Sequence, residues 1–201
     1  MDDNNNLSGK IIALMATDGF EQSELFEPKE ALEKAGAKVD IISIKKGLIK
    51  AWNKSDWGKT ISVDLLVSEA NVEDYDALVL PGGVFNPDAL RINEDAISFT
   101  QAFANAGKPI GAICHGPWLL IETGMIQGRK MTSWPSLKTD LTNAGARWVD
   151  QEVVTDGGLV TSRKPEDIPA FCKKLIEEIV EGIHIPLRSK NKIATERAIL
   201  T

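Results

Sequence analysis

Two cysteines and two histidines are all that this chain of 201 residues offers to thiolate or imidazole chemistry. Cys114 and Cys172 show neither the close pairing of a zinc site nor the number that a disulfide framework needs. A resident metal is therefore not expected, and no cofactor is called for. No apolar run approaches the roughly 20 residues that cross a bilayer. The opening segment, residues 1–9, has no basic n-region and no apolar h-region. The expectation is a cytoplasmic protein with no membrane partner. Positive charge is also short, with 23 Lys and Arg against 29 Asp and Glu, a net charge of -6. That balance argues against a nucleic-acid partner and leaves small molecules or proteins as ligands. No internal repeat is present.

What is there is a chain 43% hydrophobic, enough for one sizeable core. Residues 1–9 read as a disordered lead, 10–182 as a single domain, and 183–201 as an extension, mobile or docked on a partner. The run from Lys10 to Thr17 is short and continuously apolar, as expected of a buried strand in a parallel sheet. A helix to about Gly36 follows, with Leu25, Leu32 and Ala35 inward. Lys38–Ile44 is a second strand. Residues 45–60 turn polar and carry Trp52 and Trp57, and Thr60–Val67 alternates like a half-exposed strand. This predicts a hairpin excursion whose tryptophans either cover a partner or pack within the hairpin.

A further buried strand from Asp76 ends in the pair Gly82–Gly83. Asn93 then caps a helix with Phe99, Phe103 and Ala106 inward and Gly107 at its end. Beyond the strand that ends at Cys114 and the helix after it, residues 128–134 suggest a short strand. Pro135 opens a helix to about Ala144. Short strands at 147–149, 152–155 and 159–162 surround a tight Gly turn at 157–158. Pro165 starts an amphipathic helix in which Ile168, Phe171, Cys172, Leu175, Ile176 and Ile179 form the buried stripe, so Cys172 reads as core. Alternating strands and helices predict an α/β, doubly wound, mostly parallel sheet. Such sheets bind ligands at the carboxyl ends of their strands, and the segments ending at Thr17, Gly83 and Cys114 reach that same edge.

Cys114 stands where the apolar run Pro109–Ile113 stops abruptly in Cys-His-Gly and turns helical. A thiol in the first turn of a helix would face unpaired amides and the positive end of the macrodipole, which favours the thiolate. On placement alone, a reactive nucleophile and an inert packed thiol are equally open. Gly83 is either a plain turn residue or one that lets main-chain NH groups approach a reacting oxygen. Glu24, from its own sequence context, reads as a charge on a solvent face, and His115 as a pocket wall or interface residue.

The segments Ala77–Gly83, Ala112–Pro117, Gly128–Lys130, Thr132–Pro135 and Asn143–Val149, in this order, resemble the PfpI family of the DJ-1/PfpI superfamily. The resemblance runs from about residue 10 to residue 181. It implies a flavodoxin-like, class I glutamine amidotransferase-like fold with a reactive cysteine on a nucleophile elbow. The family's activities are deglycase, glyoxalase and cysteine peptidase. Carried over by position, Cys114 is the nucleophile and His115 its base or orienter. Glu24 is a protonated acid beside the sulfur, and Gly83 with the His115 amide forms the oxyanion site. Asp88 matches the acid that completes a triad from an adjacent subunit in family peptidases, which implies a homo-oligomer, dimer or hexamer. The substrate implied is a small carbonyl such as methylglyoxal, its adduct on a protein, or a peptide. A stress chaperone or redox sensor that uses oxidation of Cys114 is the other class the resemblance allows. A glutaminase triad would need a downstream histidine, and His184, the only one, lies outside the matched segments.

Overall fold

The computed structural model describes residues 6–185. In chain order the elements are β1 (Ile11–Met15), α1 (Gln22–Lys34), β2 (Lys38–Ser43), β3 (Leu48–Asn53), β4 (Asp56–Ser62), β5 (Leu65–Leu66), β6 (Ala77–Leu80), α2 (Phe85–Leu90), α3 (Glu94–Ala106), β7 (Ile110–Ile113), α4 (Pro117–Glu122), β8 (Lys130–Met131), α5 (Lys138–Asn143), β9 (Arg147–Trp148), β10 (Val153–Asp156), β11 (Leu159–Ser162) and α6 (Ile168–Glu181). Seven strands form the main sheet in the order β10-β11-β7-β6-β1-β2-β5. All neighbours are parallel except β10 and β11. This is the mostly parallel α/β architecture that the strand and helix alternation predicts.

The sheet is apolar on both faces, so it must be covered on both. Ile12 and Leu14 of β1 face one layer with Leu25 and Leu32 of α1 and Phe171 and Leu175 of α6. Ala13 and Met15 face the opposite layer with Phe99 and Phe103 of α3, Leu119 and Leu120 of α4 and Leu141 of α5. The period of two along β1 thus divides the core into two halves. Cys172 lies buried in the α1/α6 half, as its stripe position predicts.

Several boundaries differ from the sequence expectation for identifiable reasons. The strand expected over 60–67 is broken: β4 pairs with β3 in a separate hairpin, while β5 adds to the edge of the main sheet beside β2. Asp64 makes the switch, its amide donating to the Ile41 carbonyl at 2.9 Å and its carboxylate accepting the Ile41 amide at 2.7 Å. The helices expected from Pro135 and Pro165 begin as single 3-10 turns before α5 and α6. Ala96 and Ala104, rather than Ala106, are the buried alanines of α3, while Ala35, the C-cap of α1, packs partly buried against the core as expected. Gly157 and Gly158 both take positive φ, 57° and 85°, which closes the β10–β11 hairpin as expected.

Residues 6–9 and 183–185 are more tethered than composition suggests. Leu7 is fully buried, and its amide donates to the Ala35 carbonyl at 2.7 Å. At the other end the His184 amide donates to Gly107 at 2.8 Å, and its ring lies 3.2 Å from Glu178. Residues 186–201, which include Arg188, Lys190, Lys192 and Arg197, lie outside the described residues. Leu7 therefore acts as a core residue. Leu7→Ala is expected to cost about 2–5 kcal/mol, read as a lower urea midpoint with an unchanged slope.

Candidate active site

The segment after β7 makes the elbow. Cys114 takes φ 60°, one of two non-glycine residues with positive φ among those described, the other being Lys54. A side chain in that region costs about 1–3 kcal/mol, and such strain concentrates at functional sites. Four hydrogen bonds hold it there. The Cys114 amide donates to Ser162 at 3.0 Å, and its carbonyl accepts the Trp134 amide at 2.9 Å. Gly116 donates back to Ile113 at 2.8 Å, and Trp118 to His115 at 3.0 Å. Gly116 has no substitute here, because an added Cβ would lie 2.4 Å from the Leu80 carbonyl oxygen of β6.

The left-handed turn also brings the two adjacent side chains together. His115 Nδ1 lies 3.3 Å from Cys114 Sγ. Both residues are buried, and burial holds the imidazole below its ordinary 6.5, so it is neutral at pH 7. Trp134 stacks on the ring at 6.2 Å between centroids, and Trp118 meets it edge-on at 5.7 Å. The far nitrogen, Nε2, lies 3.4 Å from Ser136 Oγ.

Glu24 is the third member. It sits in the first turn of α1, whose N-cap Glu21 accepts the Glu24 amide at 2.8 Å. Its side chain is fully buried, so the solvent-face reading of this residue does not hold. Oε2 accepts the Gly82 amide at 2.8 Å. Oε1 meets no hydrogen-bond partner by distance and angle, yet the carboxyl is close enough to the Cys114 sulfur for each to perturb the other's ionisation. Burial, reinforced by the Glu21 carboxylate, pushes the Glu24 carboxyl up to about 8, so it is predominantly protonated at pH 7.

The two glycines divide the work. Gly82 is the point of closest approach: a Cβ there would fall 2.5 Å from Glu24 Oε2 and 2.8 Å from both Cys114 Cβ and the His115 nitrogen. Gly83, at φ 77°, turns the chain against the Gly19 carbonyl. The amides of His115 and Gly83 point to the sulfur and favour its charged form. These are the two amides expected of an oxyanion site, placed by opposite sides of the same crevice.

One expectation is corrected. The sulfur does not sit in the first turn of a helix: α4 begins at Pro117 and has only 6 residues, so little macrodipole reaches Cys114. Burial, then the repulsion of an ionised Glu24, raises the thiol above its ordinary value and outweighs the two amides. At rest Cys114 is a thiol next to a neutral imidazole, not a preformed thiolate.

Asp88 lies exposed in the first turn of α2 and not beside His115 within the chain. His184 caps the opposite edge of the sheet, over Gly107 and Gly158, which precede β7 and β11. With Glu178 and Glu181 it forms a group whose ligand atoms lie within 4.8 Å of one another. That group is remote from Cys114. Sequence reasoning missed Asn86, Trp134 and Ser136. Asn86 is fully buried: Oδ1 accepts the Thr17 amide at 2.7 Å, while Nδ2 donates to Pro81 at 2.9 Å and Gly82 at 3.1 Å. It therefore locks the end of β1 to the glycine pair, and no feature of its sequence surroundings announces this.

Similarity to known proteins agrees with this geometry. The chain is 41% identical over 168 residues to deglycase PfpI of Pyrococcus furiosus, covering 84% of this chain and 98% of that one. It is 44% identical over 168 residues to protein/nucleic acid deglycase 2 of Escherichia coli, covering 83% and 96%. Among solved structures, Drosophila melanogaster DJ-1beta superposes with a TM-score of 0.76 at 28% identity, over 96% of this chain and 98% of that one. A family model, the DJ-1/PfpI family, matches residues 10–178. With an elbow cysteine, a buried acid and a glycine pair meeting at one sheet edge, the chain belongs to the DJ-1/PfpI family.

Proposed function

We propose that this chain is a cysteine-dependent deglycase that hydrolyses early dicarbonyl adducts on protein amines and thiols, with free methylglyoxal as a smaller substrate in a glyoxalase-type turnover. The observation that carries the reading is the meeting of a strained thiol, a neutral imidazole 3.3 Å away and a buried carboxyl raised to about 8. Relatives of this length and identity that are named deglycases support it.

The chemistry follows from which groups hold protons at rest. As Sγ attacks the carbonyl carbon, the thiol proton passes to His115 Nδ1 and the carbonyl electron pair moves onto oxygen. The amides of Gly83 and His115 receive that oxyanion. A protonated Glu24 adds no negative charge beside the developing one, whereas an ionised Glu24 would oppose attack. The amine or thiol of an adduct leaves with a proton. In the resulting Cys114 hemithioacetal one hydrogen shifts from the carbinol carbon to the neighbouring carbonyl carbon, giving the thioester of a 2-hydroxy acid with no outside oxidant, and water cleaves that thioester to the hydroxy acid and the free thiol.

A peptidase needs more from His115, and in one chain no carboxylate completes a Cys-His-acid triad among the described residues. We place Asp88 in that role only across an interface of a homo-oligomer. Trp57, Val84 and Phe85, between 46% and 57% exposed, support such an interface near α2. No helix of the described residues is long and apolar enough to cross a membrane, and we assign the protein to the cytoplasm on its acidic charge balance.

Four outcomes test the reading. Cys114→Ala is expected to reduce hydrolysis of methylglyoxal-treated peptide to the uncatalysed rate, and retained turnover would refute the assignment. His115→Ala is expected to lower kcat about 10²–10⁴-fold. In the wild type the acidic limb of kcat/KM should fall at a pH below 6.5, since His115 must be neutral to take the proton. For Glu24 the sign is set by a raised pKa. The folded protein binds a proton that the unfolded chain releases between the ordinary 4.5 and about 8, so stability falls as pH rises through that window. Glu24→Gln should remove this pH dependence in urea unfolding; parallel curves for the two proteins would show that Glu24 is ionised when folded.

A further inference from the structure

Resting on the assignment of Cys114 and His115 as the reacting pair, the structure raises a narrower question: what decides which imidazole nitrogen carries the proton. His115 can take the thiol proton only if Nδ1, the nitrogen 3.3 Å from Sγ, is the bare one. The single proton of the neutral ring must then sit on Nε2. That nitrogen faces Ser136 Oγ at 3.4 Å.

We infer that Ser136 is a positioning residue whose hydroxyl accepts the Nε2–H of His115, fixing the tautomer that leaves Nδ1 free to accept the Cys114 proton. The route by which Ser136 reaches the ring is built into the backbone. The Trp134 amide donates to the Cys114 carbonyl at 2.9 Å, tying the segment after β8 to the elbow. Pro135 then opens the 3-10 turn Pro135–Leu137, closed by the Leu137 amide on the Trp134 carbonyl at 3.0 Å. Trp134 lies against one face of the imidazole with its plane inclined by only 25°, which restrains the ring from swinging away from the hydroxyl. The buried Leu137 anchors the far end of the turn.

The exchange balances without a further reactant. The S–H bond breaks as the S–C bond forms, the proton moves to Nδ1, and the imidazolium keeps its Nε2–H on Ser136 Oγ. When the product leaves, Nδ1 returns its proton. A hydroxyl acting as acceptor stabilises the transient imidazolium, so the same contact that selects the tautomer also assists charge formation. Among the described residues of one chain, the other titratable groups near the ring are Cys114 itself and, beyond the sulfur, Glu24 of α1; in the homo-oligomer proposed above, Asp88 of an adjacent copy would approach the same Nε2 side and reinforce the tautomer that Ser136 selects. Asp140 of α5 is held at 2.9 Å by Trp118 Nε1, on the edge-on side.

The test separates this inference from the assignment beneath it. With only two histidines in the chain, nitrogen-15 NMR of the intact, substrate-free protein, assigned with a His184→Asn variant, reads the His115 tautomer directly, without turnover. The expected result is the Nε2–H form in the wild type and a mixture of tautomers in Ser136→Ala. With methylglyoxal-treated peptide, Ser136→Ala should lower kcat about three- to tenfold at constant KM. It should also move the acidic limb of kcat/KM downward by about half a pH unit or more. Ser136→Thr, which restores a hydroxyl, should recover both. An Nδ1–H tautomer in the wild type, or a Ser136→Ala protein with unchanged NMR signature and pH profile, overturns the inference. Retained turnover in Cys114→Ala would instead overturn the nucleophile assignment, and leaves the tautomer measurement standing as an independent result.

Discussion

A carboxyl that cannot ionise cheaply, set against a sulfur that must, is the constraint around which the rest of this molecule is arranged. Removing Glu24 from water makes its charged form costly, and the Cys114 thiol beside it resists ionisation for the same reason. Two neighbouring acids in one dry crevice do not both give up their protons. Both are left protonated at rest, and a neutral imidazole lies 3.3 Å from the sulfur. In the mechanism proposed above, negative charge forms only during attack, where the amides of Gly83 and His115 would receive it.

That arrangement makes demands far from the sulfur. Glu24 reaches the crevice from α1, the glycine pair from the end of β6 and the thiol from the end of β7. The three ends meet closely, since a single added methyl at Gly82 would collide with Glu24, Cys114 and the His115 nitrogen. Asn86 supplies one brace by joining β1 to the glycine pair, and the Trp134 amide supplies another by joining the segment after β8 to the elbow. Behind them the central strands β1, β6 and β7, apolar on both faces, give a support that deforms little because both its layers are close-packed. The left-handed turn at Cys114 is tolerated because these contacts over-determine it.

The same physics explains which parts of the protein could be read from its residues. Buried strands announce themselves as short apolar runs, and Asn93 and Gly107 mark the limits of α3 by chemistry local to the chain. The elbow is legible because an apolar strand that ends in Cys-His-Gly leaves few conformations open. Edge and accessory elements are less legible: β4 and β5 form one alternating pattern, and only the bonds of Asp64 to Ile41 separate them. Leu7 looks like part of a polar lead because its single apolar side chain has no period to join.

The sequence by itself determined the doubly wound sheet and the edge at which Cys114 lies, since these depend on local patterning and short-range turn geometry; local patterning left the roles of Cys114 and His115 open, and the family resemblance singled them out. Only the tertiary structure decided the protonation states, because desolvation of Glu24 and Cys114 comes from residues distant in the chain. It also decided the parts played by Gly82, Asn86, Trp134 and Ser136, whose significance lies in what they touch. A low thiol pKa was the inference that failed, for it assumed a helix beginning at the sulfur. The helix begins three residues later, and burial sets the balance instead.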